Sequence, residues 1–321
     1  MVGLSVVIPI YNVQEYIERC ARSLMNQTLK EGIEFIFVDD CSSDDSMEIL
    51  RGILKDYPNR KSQIQIVKNF QNLGIYRTRC IGAEAATGKY IGWVDSDDWV
   101  EPDMFEKMLD AAESGVTDIV VCDYIEYRLE RTTRIHFNAS DTPMESIMLS
   151  ISGMYFSGTL WNQIFRRELF VEHMYDIVPT NYSEDTYIIW HVYCNAHSIK
   201  FIAEALYHYD KRNQKSLMHS RSLSFSAWQE QEKNLICIDE KNYSRQKNYK
   251  RSLHYFMYWR KYEYLNAFDM PKIFYDTFRN ASRDIFYFPG MTQLNRWKIF
   301  LINNCYLLFW IMNRGKFYAT I

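Results

Sequence analysis

The sequence predicts an α/β protein: a mostly parallel central sheet flanked by helices, with a helical extension at the C-terminal end. Two observations carry this. Through the first 127 residues, short uniformly apolar runs alternate with stretches whose apolar positions recur at helical spacing. Strands that are apolar at every position belong to sheets covered on both faces. Three of the apolar runs also end in polar signatures: Tyr11-Asn12, Asp39-Asp40 and Asp95-Ser96-Asp97-Asp98. Parallel strands present their carboxyl ends along one edge, where ligands bind in open α/β sheets. Topology alone therefore gathers the three signatures on one rim.

Taken in order, Leu4–Ile10 is the first strand, and Tyr11-Asn12 supplies a turn and helix cap. An amphipathic helix follows over residues 14–27, with Ile17, Cys20 and Leu24 on one face. Glu34–Val38 is the second strand. The stripe Met47, Leu50, Ile53 and Tyr57 makes the second helix, stopped by Pro58, and Asp45 with Glu48 has capping-box spacing at its start. Ile64–Val67 is the third strand and residues 75–87 the third helix, closed by Gly88. Tyr90–Val94 is the fourth strand and runs straight into Asp95. Beyond Val121, Tyr124–Tyr127 and Thr133–Phe137 read as a hairpin or edge pair. Residues 143–151, 161–170 and 185–195 read as helices, and Ile199–Tyr209 as a late strand. From residue 221 on, helices dense in Tyr, Phe and Trp are expected, which divides the chain into a domain over 1–220 and a region over 221–321.

Charge divides the chain at nearly the same place. Residues 1–210 hold 18 Lys/Arg against 32 Asp/Glu, a balance of −14, and residues 211–321 hold 19 against 8, a balance of +11. A basic tail behind an acidic body implies an anionic partner such as lipid head groups, while a pI near 6.2 argues against a protein that coats nucleic acid. Trp297–Met312 is apolar and flanked by Arg296, Lys298, Arg314 and Lys316. It reads either as an interfacial amphipathic helix or as a packed C-terminal helix. Seven scattered cysteines without a Cys-x-x-Cys pair form neither a zinc framework nor a disulfide scaffold. No signal peptide is apparent ahead of Leu4, so a cytoplasmic setting, peripheral to the membrane through the basic tail, is expected.

The acidic quartet carries the chemistry. Four polar residues with three carboxylates after a buried strand repel one another unless a cation, donors or protons compensate. Mg2+ or Mn2+ prefers such oxygen ligands and leaves positions open for phosphate. The alternative is an acidic turn capping the helix near Pro102, with Asp98 as its cap. Asp39-Asp40 suits a base or ribose donor, while Asp44 and Asp45 read as helix caps. Asn72-Leu73-Gly74 precedes a helix carrying Arg77 and Arg79, of which Arg79 is the better candidate for a ligand contact. Ser183-Glu184-Asp185 begins a helix, where acidic residues favour the dipole without any further role.

Together these segments resemble family 2 glycosyltransferases of the GT-A fold, a Rossmann-like architecture. The resemblance lies in Ser5–Asn12 (SVVIPIYN), Val38–Asp44 (VDDCSSD), Asn72–Gly88 (NLGIYRTRCIGAEAATG) and Tyr90–Asp98 (YIGWVDSDD). It continues more weakly through Leu160–Glu168, Ser183–Asp185 and Tyr207–Ser216. It implies that Pro9, Tyr11 and Asp39 or Asp40 hold the base of a nucleotide sugar, most often a UDP-sugar, with Asn72 and Arg79 nearby. Asp95 meets the ribose or the metal, with Ser96 beside it in the donor site. Asp97, with Asp95, holds Mn2+ or Mg2+. Asp185 becomes the catalytic base, supported by Glu184, in an inverting transfer to a glycan or lipid-linked acceptor. Tyr207–Ser216 is implied to be a flexible lid to which His208 or Arg212 contributes. Cys41 departs from the family's usual glycine, so its turn must avoid the left-handed conformation or strain to reach it. Thr78 and Cys80 replace the usual neighbours of Arg79. Two rivals remain, a nucleotidyltransferase with a similar sheet and a non-catalytic binding protein. The Pro9–Asn12 segment lacks the glycine-rich basic loop of the first.

Overall fold

The computed structural model describes residues 2–136, 159–180, 184–213 and 293–305, with residues 142, 143, 146, 230, 233, 234, 286 and 308 besides. The helix expected over 143–151 and those expected between 221 and 292 lie almost wholly outside the described residues. Contacts gather the chain into two units, Met1–Ser146 with Gly158–Arg221, and Ile147–Ser157 with Ser222–Ile321.

The first unit is built on a nine-stranded mixed sheet. Strands β1 (Leu4–Ile10), β2 (Ile33–Asp39), β3 (Ile64–Lys68) and β4 (Tyr90–Trp93) run parallel in the spatial order β3-β2-β1-β4. Every residue of β1 is buried, as its unbroken apolar run requires. Helices α1 (Ile17–Met25), α2 (Ser46–Leu54) and α3 (Ile75–Ala85) alternate with these strands. On α3, Gly82 lets the helix lie against the sheet, since a Cβ there would stand 2.2 Å from Val7 Cγ1. Pro9 sets the length of the β1–β4 ladder. Val94 donates the last bond, 3.1 Å to Val7 C=O, and Pro9 has no N–H with which to continue it. The chain beyond Val94 is thereby released to turn over the sheet edge.

The second half departs from the sequence expectation. Residues 161–170 were expected as one helix. Instead Gln163–Arg166 forms a strand, β8, antiparallel to both β4 and β6 (Ile119–Tyr127), and only Arg167–His173 is helical (α5). A four-residue segment with only Ile164 and Phe165 apolar does not distinguish strand from helix by period, and here the edges of β4 and β6 claim it. The hairpin expectation holds, with β7 (Thr132–Ile135) antiparallel to β6. Strand β9 (Ile199–Asp210) runs parallel to β6 and pairs antiparallel with β5 (Trp99–Val100). Helices α4 (Met104–Glu113) and α6 (Glu184–Asn195) complete the unit. Most of α6 is buried, as its nearly all-round apolar sequence implies.

In the second unit the described helix α7 (Gln293–Asn304) packs Trp297 and Phe300 around Phe286, with ring centroids 4.9 and 5.1 Å away. Among the described residues no helix is long and apolar enough to cross a membrane.

Candidate active site

The ends of β1, β2 and β4 lie along one rim, as their parallel pairing dictates. Tyr11 is 46% exposed there, at the end of β1 and beyond the buried Pro9. Asp39 and Asp40 divide their work. Asp40 accepts from Asn69 Nδ2 and Leu73 N at 2.8 Å each and from Gly74 N at 2.9 Å, so the fold uses it to shape the turn into α3. The Asp39 carboxylate accepts from Ser42 N, at 2.8 Å, and among the described residues no second donor to it is seen. Asn72 accepts from Gly74 N at 3.1 Å in the same turn and is exposed. Cys41 takes the left-handed conformation, with φ 63°, instead of avoiding it.

Several expected caps are corrected. Asn12 does not cap α1, and its Oδ1 accepts from Ser43 N at 2.9 Å across the rim. Asp45 stands at the start of α2 but makes no capping bond with its side chain. Asp44 does that work, accepting from Ser46 N and from Gln14 N. Asp98 is no helix cap either. It is 1% exposed and accepts from Tyr207 OH and from Asp210 N, both at 2.7 Å. Asp103 occupies the start of α4. The interior claims Asp98 because β9 delivers donors to it.

Asp95 and Asp97 are engaged differently from Asp98. Asp95 Oδ1 lies 2.9 Å from Arg79 Nη2, and Asp97 Oδ2 accepts from Asn213 Nδ2 at 2.8 Å. Burial and then the neighbouring Asp95 push the Asp97 carboxyl up to about 6. Ser96 is buried beside them. Among the described residues no group of three or more His, Cys, Asp or Glu side chains is placed to hold a metal ion.

Arg79 is the hub of the site. Its Nη1 stands 2.6 Å from Glu184 on α6, so one buried guanidinium bridges the strand-end turn to the first residues of a helix 105 residues further along the chain. Burial alone would lower its pKa, but Asp95 and Glu184 outweigh that and hold it above its ordinary value. Exposed Arg77 on the same helix takes no such part. Beside Glu184, Asp185 accepts from Thr186 N at 2.8 Å. Burial and then Glu184 push it up to about 7. Ser183 lies outside the described residues.

The lid expectation is corrected over its first half. Tyr207, His208 and Asp210 are buried residues of β9, while 214–216 lie outside the described residues. His208 stacks on Trp99 and binds Glu101, and Arg212 pairs with Asp210. Sequence reasoning passed over Arg19, and it placed Tyr207, Asp210 and Asn213 in the lid segment without finding that all four hold the quartet from outside. No local pattern marks them, since each acts across 78 or more residues of chain.

Residues 5–173 match the model of a protein family described as Glycosyl transferase family 2. The glycosyltransferase named EpsJ of Bacillus subtilis (strain 168) is 33% identical over 222 residues, 67% of this chain and 62% of EpsJ. The chain spans about 60% of the length of EpsJ and of two further curated bacterial relatives. In fold it is similar to S. aureus TarS 1-349 in complex with UDP-GlcNAc, with a TM-score of 0.73 at 20% identity, covering 98% of this chain and 92% of that one. It is also similar to the mannosyltransferase PcManGT from Pyrobaculum calidifontis in complex with GDP-Man and Mn2+, with a TM-score of 0.54 at 14% identity, covering 97% and 82%. At such identities these likenesses speak for the GT-A fold alone. The family match over more than half of the residues, joined to that fold, makes this chain a member of glycosyl transferase family 2.

Proposed function

We propose that the protein is an inverting, metal-dependent glycosyltransferase that moves a sugar from a nucleoside diphosphate donor, most simply a UDP-sugar, to a glycan or lipid-linked acceptor in surface polysaccharide synthesis. The observation that carries the proposal is the Arg79 bridge, 2.9 Å to Asp95 and 2.6 Å to Glu184. It ties a donor-side turn to a helix start where the half-buried Asp185 has a raised proton affinity, as a general base working near neutral pH needs.

In this proposal Tyr11 and Asp39 receive the base, with Pro9 and Asn72 shaping the walls around them. Asp97 and Asp95 receive Mn2+ or Mg2+. Two carboxylates suit a hard cation that takes its other ligands from phosphate and water. The upward push on Asp97 in the absence of a countercharge supports the same assignment. When bound, such an ion supplies positive charge to a diphosphate leaving group. Asp185 accepts the proton of the acceptor hydroxyl as that oxygen attacks the anomeric carbon from the face opposite the diphosphate. Arg79 pairs with Glu184 and fixes it beside Asp185. The likenesses to proteins bound to UDP-GlcNAc and to GDP-Man with Mn2+ favour a nucleotide-sugar donor. The +11 balance of residues 211–321 favours a cytoplasmic enzyme peripheral to an anionic membrane surface, while the overall pI near 6.2 argues against a nucleic acid partner.

Asp185→Asn is expected to abolish transfer while leaving the affinity for UDP near that of the parent. Unchanged turnover would remove Asp185 from the mechanism. Donor hydrolysis measured with and without Mn2+ separates the proposal from a non-catalytic binding protein, and release of pyrophosphate instead of a nucleoside diphosphate would favour a nucleotidyltransferase.

A further inference from the structure

We propose that Arg19 on α1 is a positioning residue for the metal-binding turn. By fixing the Asp97 peptide it sets where the Asp95 and Asp97 carboxylates meet a metal-bound diphosphate. The inference rests on the metal reading of that turn given above.

The guanidinium is held on three sides. Its Nη2 donates to the Asp97 carbonyl at 2.7 Å and lies 2.9 Å from Asp210 Oδ2 at the end of β9. Its central carbon sits 3.8 Å from the centroid of the Trp99 ring, a cation–π distance. Trp99 is itself fixed, stacked on His208 with centroids 4.8 Å apart and planes 6° apart. His208 is held in turn by Tyr127 OH at 2.9 Å and Glu101 at 2.8 Å. A planar guanidinium can lie flat on an aromatic face while it serves a carbonyl and a carboxylate, whereas a lysine ammonium is a strongly hydrated point charge with no plane to stack.

The turn needs this outside support. Asp98 is spent on Tyr207 and Asp210 in the interior and cannot serve a ligand. Among the described residues, the side chain bonded to the Asp97 carboxylate is that of Asn213. Mg2+ and Mn2+ demand close octahedral geometry, and groups behind the ligands change metal affinity by about 10- to 100-fold. Arg19 touches the turn through a backbone carbonyl, so it orients the ligands without being one. The base-side residue Tyr11 follows β1 and Asp39 ends β2, and among the described residues neither is bonded to Arg19. Loss of Arg19 is therefore expected to weaken the metal-assisted part of nucleotide binding and to spare the rest.

UDP titrated by calorimetry into the full chain, once with Mn2+ and once with EDTA, tests this in the parent protein, Arg19→Lys, Arg19→Ala and the surface control Arg22→Ala. The gain in UDP affinity that Mn2+ confers is expected to fall about tenfold in both Arg19 variants, with affinity in EDTA unchanged and Arg22→Ala behaving as the parent. A merely structural role would lower the melting temperature and weaken both arms alike, which overturns the proposal. So does a parental Mn2+ gain that survives intact in Arg19→Lys, the variant that decides if Arg19→Ala fails to fold. If the parent shows no Mn2+ gain, the metal reading itself falls and takes the inference with it.

Discussion

Glu184 and Asp185 are adjacent in sequence, but Arg79 forms an ion pair with only one of them. Glu184 is neutralised at 2.6 Å. Asp185 is left with burial and a neighbouring carboxylate, which push it up to about 7. A base must be ionised to accept a proton, so kcat/KM for transfer is expected to rise with pH through about 7 and level off above it. A profile from about pH 5 to about pH 9 checks this, and a flat profile would detach the ionisation of Asp185 from the rate. The sequence presented Ser183–Asp185 as an acidic helix start and nothing more, and only the family resemblance raised Asp185 to a base. What separates the two carboxylates is which of them Arg79 reaches, and no spacing within the segment contains that.

At the scale of elements, the site is a junction of α3, the turn after β4 and α6. Arg79 on α3 is 4% exposed in its side chain and Glu184 is 6% exposed, so the ion pair between them is dry. Removing one partner of such a pair leaves the other charge buried and uncompensated. Arg79→Met is expected to lower unfolding free energy by about 3–5 kcal/mol, read from denaturant titration, while a change within about 0.5 kcal/mol would mean that Glu184 finds another partner. The helix and the turn were each legible from period and from polar strand ends. The strand β8 was not. Gln163–Arg166 becomes a strand because β4 and β6 both present open edges to it, and a four-residue run carries too few periods to announce this. The same limit hid the use of Asp98, which looked like a cap until β9 brought Tyr207 and the Asp210 N–H to it.

For the molecule as a whole, Asp210 couples stability to acid. Burial alone would raise its pKa, but hydrogen bonds from Arg212 and Arg19 outweigh that and hold it at about 2. A carboxylate whose folded pKa is depressed contributes stability that is complete above its unfolded value of about 4 and is lost as pH falls toward about 2. The melting temperature is therefore expected to fall over that window, and Asp210→Asn should flatten the fall while lowering the neutral value. An unaltered acid limb in that variant would assign the loss to other carboxylates. Asp97 and Asp185, both raised, act in the opposite sense, since protonating them on acidification relieves repulsion.

The sequence by itself determined the parallel half of the sheet, the rim on which Tyr11, Asp39 and Asp95–Asp98 meet, and the family to which those segments point. Period and strand-end polarity are local properties, and β1 to β4 are joined by short helical crossovers that leave little choice of order. Only the tertiary structure decided which carboxylates are tied up in the fold's own hydrogen bonds and which are bonded more sparsely. Asp40 and Asp98 are held by backbone, amide and hydroxyl donors, whereas Asp39, Asp95 and Asp97 are bonded more sparsely. The donors that make this division, and the Arg79 and Arg19 guanidiniums that bind the rim together, come from segments far apart in the chain. Their meeting is fixed by strand pairing and packing, which no window of sequence contains.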